Sequence, residues 1–252
     1  MLLAVLFAGA VAALAYRFGA LTRSGALAAF VVGTIVFATL GYGGAAVLFA
    51  FFIPSTLLSR LGRARKSALR DVGKHGARDA WQVLANGGVA AAAALLALRF
   101  GLPLAAAFAG AFAAAAADTW GTEIGTLSRA APRSILSLRP MATGLSGGVT
   151  LAGSAATVGG ALCVAFVAAC ASLAPFWAVA AGGVAGALTD SLLGAGVQAL
   201  RWCPACSREC ETDPHSCGTP TVLRRGYGWL ENDAVNFAAT CCGAIVAALL
   251  TS

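Results

Sequence analysis

The stretch AFAAAAADTWGTEIG, residues 111–125, decides the class of this protein. Its small apolar residues suit a helix inside a lipid bilayer, yet the run stops at Asp118 and a second carboxylate, Glu123, follows five residues later. A charge inside a membrane is costly, and ionisable residues in transmembrane segments usually mark functional sites. The stretch therefore predicts a transmembrane helix that carries two carboxylates to a site at its end.

The composition of the whole chain supports a membrane protein. Of its 252 residues, 59% are hydrophobic and only 11% are charged, whereas soluble domains carry about 25% charged residues. Its 31 glycines and many alanines favour closely packed transmembrane helices, and the apolar stretches lack the alternation of a β-barrel. We predict an all-α, polytopic transmembrane helical bundle that forms a single integral-membrane domain over residues 1–252.

Eight apolar segments approach the length that crosses a bilayer, about 17–25 residues. The first segment lacks the positively charged start of a signal peptide, so we interpret it as a retained helix. The second and third segments alternatively form one re-entrant pair. The segments are residues 1–16, 25–40, 43–59, 81–98, 101–117, 147–171, 175–198 and 234–251.

The basic residues predict the orientation of the bundle. Nearly all of them fall in four connections, between segments one and two, three and four, five and six, and seven and eight. Eight spans place these four connections on one face, which the positive-inside rule makes cytoplasmic. We therefore predict an inner-membrane protein with a cytoplasmic active face and both termini outside. The basic loops would contact anionic membrane lipid, and we expect no nucleic-acid partner.

Three polar clusters lie at predicted helix ends on this face. Their carboxylate, amide and hydroxyl oxygens are the ligands that Mg²⁺ prefers, and two of the amides, four residues apart, share one helix face. Alternatively, the carboxylates cap helices or pair with arginines. The clusters are Asp118, Thr119 and Glu123; Asp190 and Ser191; and Asn232, Asp233 and Asn236.

Two further segments predict a phosphate-binding surface. TGLSGG, residues 143–148, should enter a helix with its backbone N–H groups facing an anion. Alternatively, two of its glycines form a helix-packing pair. A second segment, residues 71–88, places Arg78, Gln82 and Asn86, four residues apart, as a polar stripe on one face of a helix entering the membrane. The candidate phosphate ligands are Lys74, Arg78, Asn86, Arg133, Thr143, Gly144, Ser146, Gly147 and Gly148.

A cysteine-rich loop, residues 201–230, precedes the last segment. Cys203 and Cys206 form a C-x₂-C pair, and His215 and Cys217 follow as H-x-C. Because a cytoplasmic loop is reducing, a structural Zn²⁺ clamp is favoured over disulfides. The single residue between His215 and Cys217 is closer spacing than zinc sites usually have. The clamp would fold the loop ahead of the Asn-Asp helix.

Five motifs in this order resemble those of a known family of integral-membrane proteins. They are ADTWGTEIG, TGLSGGVTLAG, TDSLLGAGVQ, the C-x₂-C…H-x-CG loop and NDAVNF. The family contains the animal transmembrane-protein-nineteen group and the plant phytyl-phosphate kinases of tocopherol synthesis. The resemblance covers nearly the whole chain.

The resemblance to the plant members implies a kinase activity. A phosphoryl group would pass from a nucleoside triphosphate to an isoprenyl monophosphate, phytyl phosphate or a similar compound, giving the diphosphate. Asp118, Glu123, Asp190 and Asp233 would hold Mg²⁺, supported by Asn232 and Asn236. The partners would be membrane lipid, the isoprenyl phosphate and the nucleotide, whereas the sequence does not specify the oligomeric state.

Two other functions remain open from the sequence. Intramembrane carboxylates and glycine-interrupted helices also suit an ion- or proton-coupled transporter, although the polar residues gather on one face. A CDP-dependent lipid-headgroup transferase is the second alternative, although the sequence lacks the dense Asp-rich stretch of that class.

Overall fold

The computed structural model describes residues 1–62 and 76–252 of the chain. Within these residues the chain forms a bundle of seven helices, with two small sheets in the connections 126–150 and 197–231, so the predicted helical architecture is confirmed. The helices are α1 (Leu2–Arg17), α2 (Arg23–Arg60), α3 (Ala80–Phe100), α4 (Leu102–Gly125), α5 (Leu151–Cys170), α6 (Phe176–Gly196) and α7 (Asn232–Leu249). Within the described ranges, α2 to α7 are long and apolar enough to cross a membrane, and α1 is a shorter apolar helix.

Helix α2 folds back on itself at Gly41. A straight helix of its 38 residues would be about 57 Å long, yet both of its ends contact Arg78. Thr22 N–H, at the start of α2, donates to the Arg78 carbonyl, and the Arg78 guanidinium donates to Thr56 near its end. Gly41 has φ 58° and ψ −145°, a conformation that is open to glycine and costly for other residues. The predicted segments 25–40 and 43–59 are therefore the two antiparallel halves of α2.

Helix α4 is the centre of the bundle. Every residue from Ala105 to Ala117 is buried, because other helices surround it on all sides. Its alanines and glycine leave room for this packing, since small side chains let helix backbones approach closely. The burial ends where Asp118 begins, so the central helix carries its carboxylates out of the core at one end of the bundle.

Three glycines bring α4, α6 and α7 into backbone contact. A Cβ atom added at Gly243 would lie 2.7 Å from the Gly110 carbonyl oxygen and 3.1 Å from that of Gly182. Neither carbonyl can move without shifting its helix. This crossing therefore fixes the distance between the helices that carry the polar residues.

Replacing Gly243 by Ala should destabilise the bundle by about 1–3 kcal/mol, the usual cost of overpacking a core. The measurement is thermal unfolding in detergent, where we expect a clear fall in Tm. Gly88→Ala is the matched control, because a Cβ atom there meets only Leu84 at 3.9 Å. Equal unfolding temperatures for the two variants would contradict the packing described.

Two short sheets were not predicted. Strands β1 (Arg133–Ser134) and β2 (Gly148–Val149) pair antiparallel. In the cysteine-rich loop, β3 (Leu200–Cys203) pairs antiparallel with β4 (Arg208–Cys210) on one side and β5 (Val222–Arg225) on the other. The predicted helix over 147–171 was wrong at its start, because α5 begins only at Leu151, after Thr150 caps it by accepting from Gly153 N–H.

The described parts of the four predicted basic connections meet at one end of the bundle. Arg60 donates to the Phe18 carbonyl across the first two of them, and the other two contact each other through Ser146 and Glu211. Helix α1 ends and α7 begins at this end, so both termini lie at the opposite end. The described parts of the basic connections therefore lie together at one end of the bundle, as the sequence predicted.

Candidate functional site

A polar cavity of about 870 Å³ occupies the end of the bundle where the basic connections meet. The helix ends at this end of the bundle and the loops between them form the wall of the cavity. Fourteen of the residues proposed from the sequence line it: Arg78, Asn86, Asp118, Thr119, Glu123, Thr143, Gly144, Ser146, Gly147, Gly148, Asp190, Ser191, Asn232 and Asn236.

Two carboxylates face each other across neighbouring helices. Asp118 follows the buried part of α4 and Asp190 lies in the last two turns of α6, and their carboxyl groups are close enough to interact directly. Asp190 Oδ2 is buried and has no hydrogen-bond partner among the described residues. Glu123 lines the same cavity farther along α4. Carboxylates held this close favour a shared proton or a bound cation, because like charges repel strongly away from water.

Arg78 supplies positive charge to the same cavity from the start of α3. Its backbone is fixed by hydrogen bonds with Ala20 and Thr22, and Asp79 begins α3 by forming a capping box with Gln82. The Arg78 guanidinium lies 5.6 Å and 5.8 Å from the ring centres of Phe51 and Phe52. These contacts hold the cation at a fixed place on the wall.

An apolar cleft adjoins the polar cavity at Arg78. It lies between α1, α2 and α3, and it encloses about 80 Å³. Arg78, Gln82 and Asn86 line both the cleft and the cavity. The predicted polar stripe on α3 therefore separates an apolar space from a polar one.

The glycine-rich turn holds a carboxylate. Ser146 donates to Glu211 twice, from its N–H at 2.7 Å and from its hydroxyl at 2.9 Å. Gln198 Nε2 donates to the Ser146 hydroxyl at 2.8 Å. Gly147 has φ +80°, and a Cβ atom there would collide with the backbone of Ala195 in α6. The turn thus binds a carboxylate of the cysteine-rich loop, whereas its predicted binding of phosphate stays a prediction.

Three proposed residues are not part of the described cavity wall. Arg133 is exposed and donates to the Leu138 carbonyl, so its guanidinium is used within its own loop. Asp233 is half-buried in the first turn of α7 and does not line the cavity, although Asn232 and Asn236 beside it do. Lys74 lies outside the described residues.

The sequence interpretation missed several cavity residues. Thr150, Ser154 and Thr157 line the cavity from the start of α5, and their spacing of four and three residues is the signal of a polar helix face. Glu211 also lines it. No local signal marks Glu211, because it lies between the metal-ligand candidates of a loop whose path the sequence does not specify.

The proposed metal-binding side chains of the loop do converge. Ligand atoms of Cys203, Cys206, His215 and Cys217 all lie within 4.8 Å of one another. Hydrogen bonding, first of all with the Thr219 hydroxyl and then with its backbone and with His215, lowers the pKa of Cys217 to about 6. The lowered pKa favours the thiolate form of Cys217, which is the form that binds metals.

The fold and the cavity define a polytopic integral membrane protein with a polar site at one end of its helical bundle. The sequence model of the family described as "Integral membrane protein DUF92" matches residues 6–244. The chain belongs to this family, which confirms the resemblance noted from the motifs.

Relatives of the chain occur in plants, archaea and cyanobacteria. "Protein PGR" of Arabidopsis thaliana is 31% identical, over 95% of this chain and 92% of its own length. An "Uncharacterized membrane protein" of Methanocaldococcus jannaschii is 29% identical, over 91% of this chain and 85% of its own. Another, of Synechocystis, is 26% identical, over 87% and 78%. No solved structure matches the chain.

Proposed function

We propose that this protein is a membrane-embedded kinase that transfers a phosphoryl group from a nucleoside triphosphate to an isoprenyl monophosphate, giving the diphosphate. One observation carries the proposal. Two facing carboxylates, Asp118 and Asp190, share a polar cavity with a fixed cation, Arg78, and an apolar cleft begins at that cation. An acceptor with a phosphate head and an apolar tail would fit this arrangement, with its phosphate beside Arg78 and its first carbons in the cleft.

The sizes of the two spaces fit such an acceptor and its donor. The cavity of about 870 Å³ lies within the range of pockets that bind small molecules and cofactors, about 300–1,000 Å³. The cleft of about 80 Å³ is smaller than a cavity that holds benzene, about 150 Å³. It would accommodate only the carbons next to the phosphate, and the rest of the tail would extend into membrane lipid.

The residues present fit Mg²⁺. Asp118, Glu123 and Asp190 supply carboxylate oxygens, and Thr119, Ser191, Asn232 and Asn236 supply neutral ones, all on the cavity wall. The buried Asp190 Oδ2 has no hydrogen-bond partner among the described residues, as expected of an atom that serves a cation. Bound Mg²⁺ would neutralise the charge of the phosphates during transfer.

The chain's own residues perform the remaining tasks of phosphoryl transfer, which are positioning and charge neutralisation. Arg78 would bind the acceptor phosphate at the mouth of the cleft. The hydroxyls and amides on α4, α5 and α7 would orient the nucleotide phosphates. The acceptor oxygen is already anionic, so no strong general base is needed.

The test is a direct assay with purified protein. Phytyl or geranylgeranyl phosphate, Mg²⁺ and each nucleoside triphosphate in turn are supplied, and the prenyl diphosphate is measured. We expect diphosphate formation that depends on Mg²⁺ and on the nucleotide. No product with any donor, together with ion uptake by vesicles containing the protein, would favour the transporter instead.

The proposal includes an orientation with the cavity at the cytoplasmic face, where nucleotide is available and basic loops are retained. Alkaline phosphatase fused after Ser252 should then be active in a bacterial host, because this enzyme is active only outside the cytoplasm. The same enzyme inserted after Ser128, in the loop between α4 and α5, should be inactive. The reverse pattern would contradict the orientation.

A further inference from the structure

The cysteine-rich loop brings four soft ligands into the geometry of a zinc site. Cys203 Sγ lies 3.6 Å from Cys217 Sγ, and His215 Nδ1 lies 3.1 Å from Cys217 Sγ and 3.7 Å from Cys206 Sγ. In a tetrahedral site with Zn–S of about 2.3 Å and Zn–N of about 2.0 Å, sulfurs are about 3.7 Å apart and sulfur and nitrogen about 3.5 Å. The four atoms therefore lie close to the corners of such a tetrahedron.

Two turns supply these ligands. Cys203 and Cys206 belong to the turn that joins β3 to β4, in which Cys203 pairs with Arg208. His215 and Cys217 belong to a second turn, closed by the Gly218 N–H donating to the His215 carbonyl at 2.7 Å. Cys203 and His215 are buried, although Pro204, Pro214 and Ser216 beside them are exposed. The two turns thus face each other through their ligand side chains.

The loop's small sheet and hydrogen bonds hold part of this arrangement, and a metal would hold its two turns together. The loop spans only about 30 residues, and units below about 40 residues usually need a metal, a disulfide or an assembly partner to fold stably. All its cysteines are free thiols. Three thiolates around one Zn²⁺ leave one negative charge, and the Arg208 guanidinium lies beside them. Its Nε donates to His215 Nε2 at 3.0 Å; with the metal on Nδ1 the ring proton would sit on Nε2, so this guanidinium would turn from the ring toward the thiolates.

The same loop reaches the polar cavity through Glu211. This residue directly follows β4 and lies four residues before His215, so the cluster fixes the chain on both sides of it. Its carboxylate accepts the two hydrogen bonds of Ser146 and a third, at 3.3 Å, from Gln198. A displacement of the cluster would therefore remove Glu211 from the glycine-rich turn.

We propose that Cys203, Cys206, His215 and Cys217 form a structural Zn²⁺ site that holds Glu211 on the glycine-rich turn and so fixes one wall of the cavity. The site goes beyond the proposed kinase function and does not depend on it. It links a metal at the surface of the loop to the shape of the polar site.

The first test measures metal in the purified wild-type protein by inductively coupled plasma mass spectrometry. We expect about one zinc per chain, and a tenfold or greater loss in Cys206→Ser and Cys217→Ser. Cys170→Ser is the matched control, because that exposed cysteine lies at the far end of α5, and it should keep its zinc. Wild-type protein without zinc, or equal zinc in all variants, would overturn the site.

A second measurement keeps the proposal testable if the cysteine variants do not fold. Co²⁺ exchanged into the wild-type protein should give the visible absorption of a tetrahedral thiolate site, and its absence would count against the assignment.

Amide hydrogen exchange tests the link between the metal site and the cavity. Removing zinc with a chelator should speed exchange at Ser146 at least tenfold, as should Glu211→Ala, whereas an unchanged rate would refute the link.

Discussion

Replacing Asp118 or Asp190 by asparagine is expected to reduce phosphoryl transfer by about 100–1,000-fold, the usual effect of removing one group that stabilises transition-state charge. Asparagine preserves the shape of the side chain but removes the charge that a cation needs. Since the two carboxyl groups face each other, the fold should tolerate the change or even gain stability from it. The loss would appear in kcat with initial-rate measurements at saturating substrates.

The matched control is Glu231→Gln. Glu231 precedes α7 at the same end of the bundle, but it is exposed and does not line the cavity. Its replacement removes the same charge and should leave kcat within about twofold. The double variant Asp118→Asn/Asp190→Asn should be little worse than either single variant, because residues that act as a unit are non-additive. Normal turnover in both single variants would end the metal assignment.

Replacing Arg78 by methionine should raise the KM for the isoprenyl phosphate about 10–100-fold. A hydrogen bond to a charged group contributes about 1.5–3 kcal/mol. Losing it would weaken binding of the phosphate, and so raise the KM, by this factor of about 10–100. Methionine retains the apolar contact with Phe51 and Phe52 and the backbone hydrogen bonds of residue 78. It loses the long, 3.5 Å hydrogen bond from the guanidinium to Thr56, which is weak. The effect should therefore be on binding and not on folding.

Two comparisons make the Arg78 experiment specific. Arg78→Lys keeps the charge and should recover part of the affinity, although lysine lacks the planar guanidinium that binds two phosphate oxygens. Arg129→Met removes an exposed arginine from the loop after α4 and should leave the KM unchanged. An unchanged KM in Arg78→Met would show that the acceptor phosphate binds elsewhere.

The apolar segments and the basic loops were enough to predict the helical bundle and the end at which its polar residues gather. Hydrophobic runs specify transmembrane helices strongly, because backbone groups in lipid must be paired within the segment. The spacing of Arg78, Gln82 and Asn86 also predicted one helix face. The sequence did not decide how the chain reverses at Gly41, because GYGG, residues 41–44, fits both a turn between two spans and a re-entrant pair.

The contacts made by loops could not be predicted in the same way. Glu211 and Ser146 are 65 residues apart in the chain, and no periodic pattern indicates that they meet. Arg133 was assigned to phosphate binding from its position near the glycine-rich turn, but a strand pairing and the Leu138 carbonyl direct it elsewhere. Such pairings depend on tertiary packing, which local sequence patterns do not indicate.

The small volume beside Arg78 has a consequence for substrate choice under the proposed function. A pocket discriminates only among the atoms it encloses, and each methylene it encloses contributes about 1–3 kcal/mol. Carbons beyond the first few would be surrounded by the acyl chains of membrane lipids, which solvate short and long terpenoid tails equally well. The enzyme would thus distinguish saturated from unsaturated bonds near the head group while turning over C15 and C20 compounds at comparable rates.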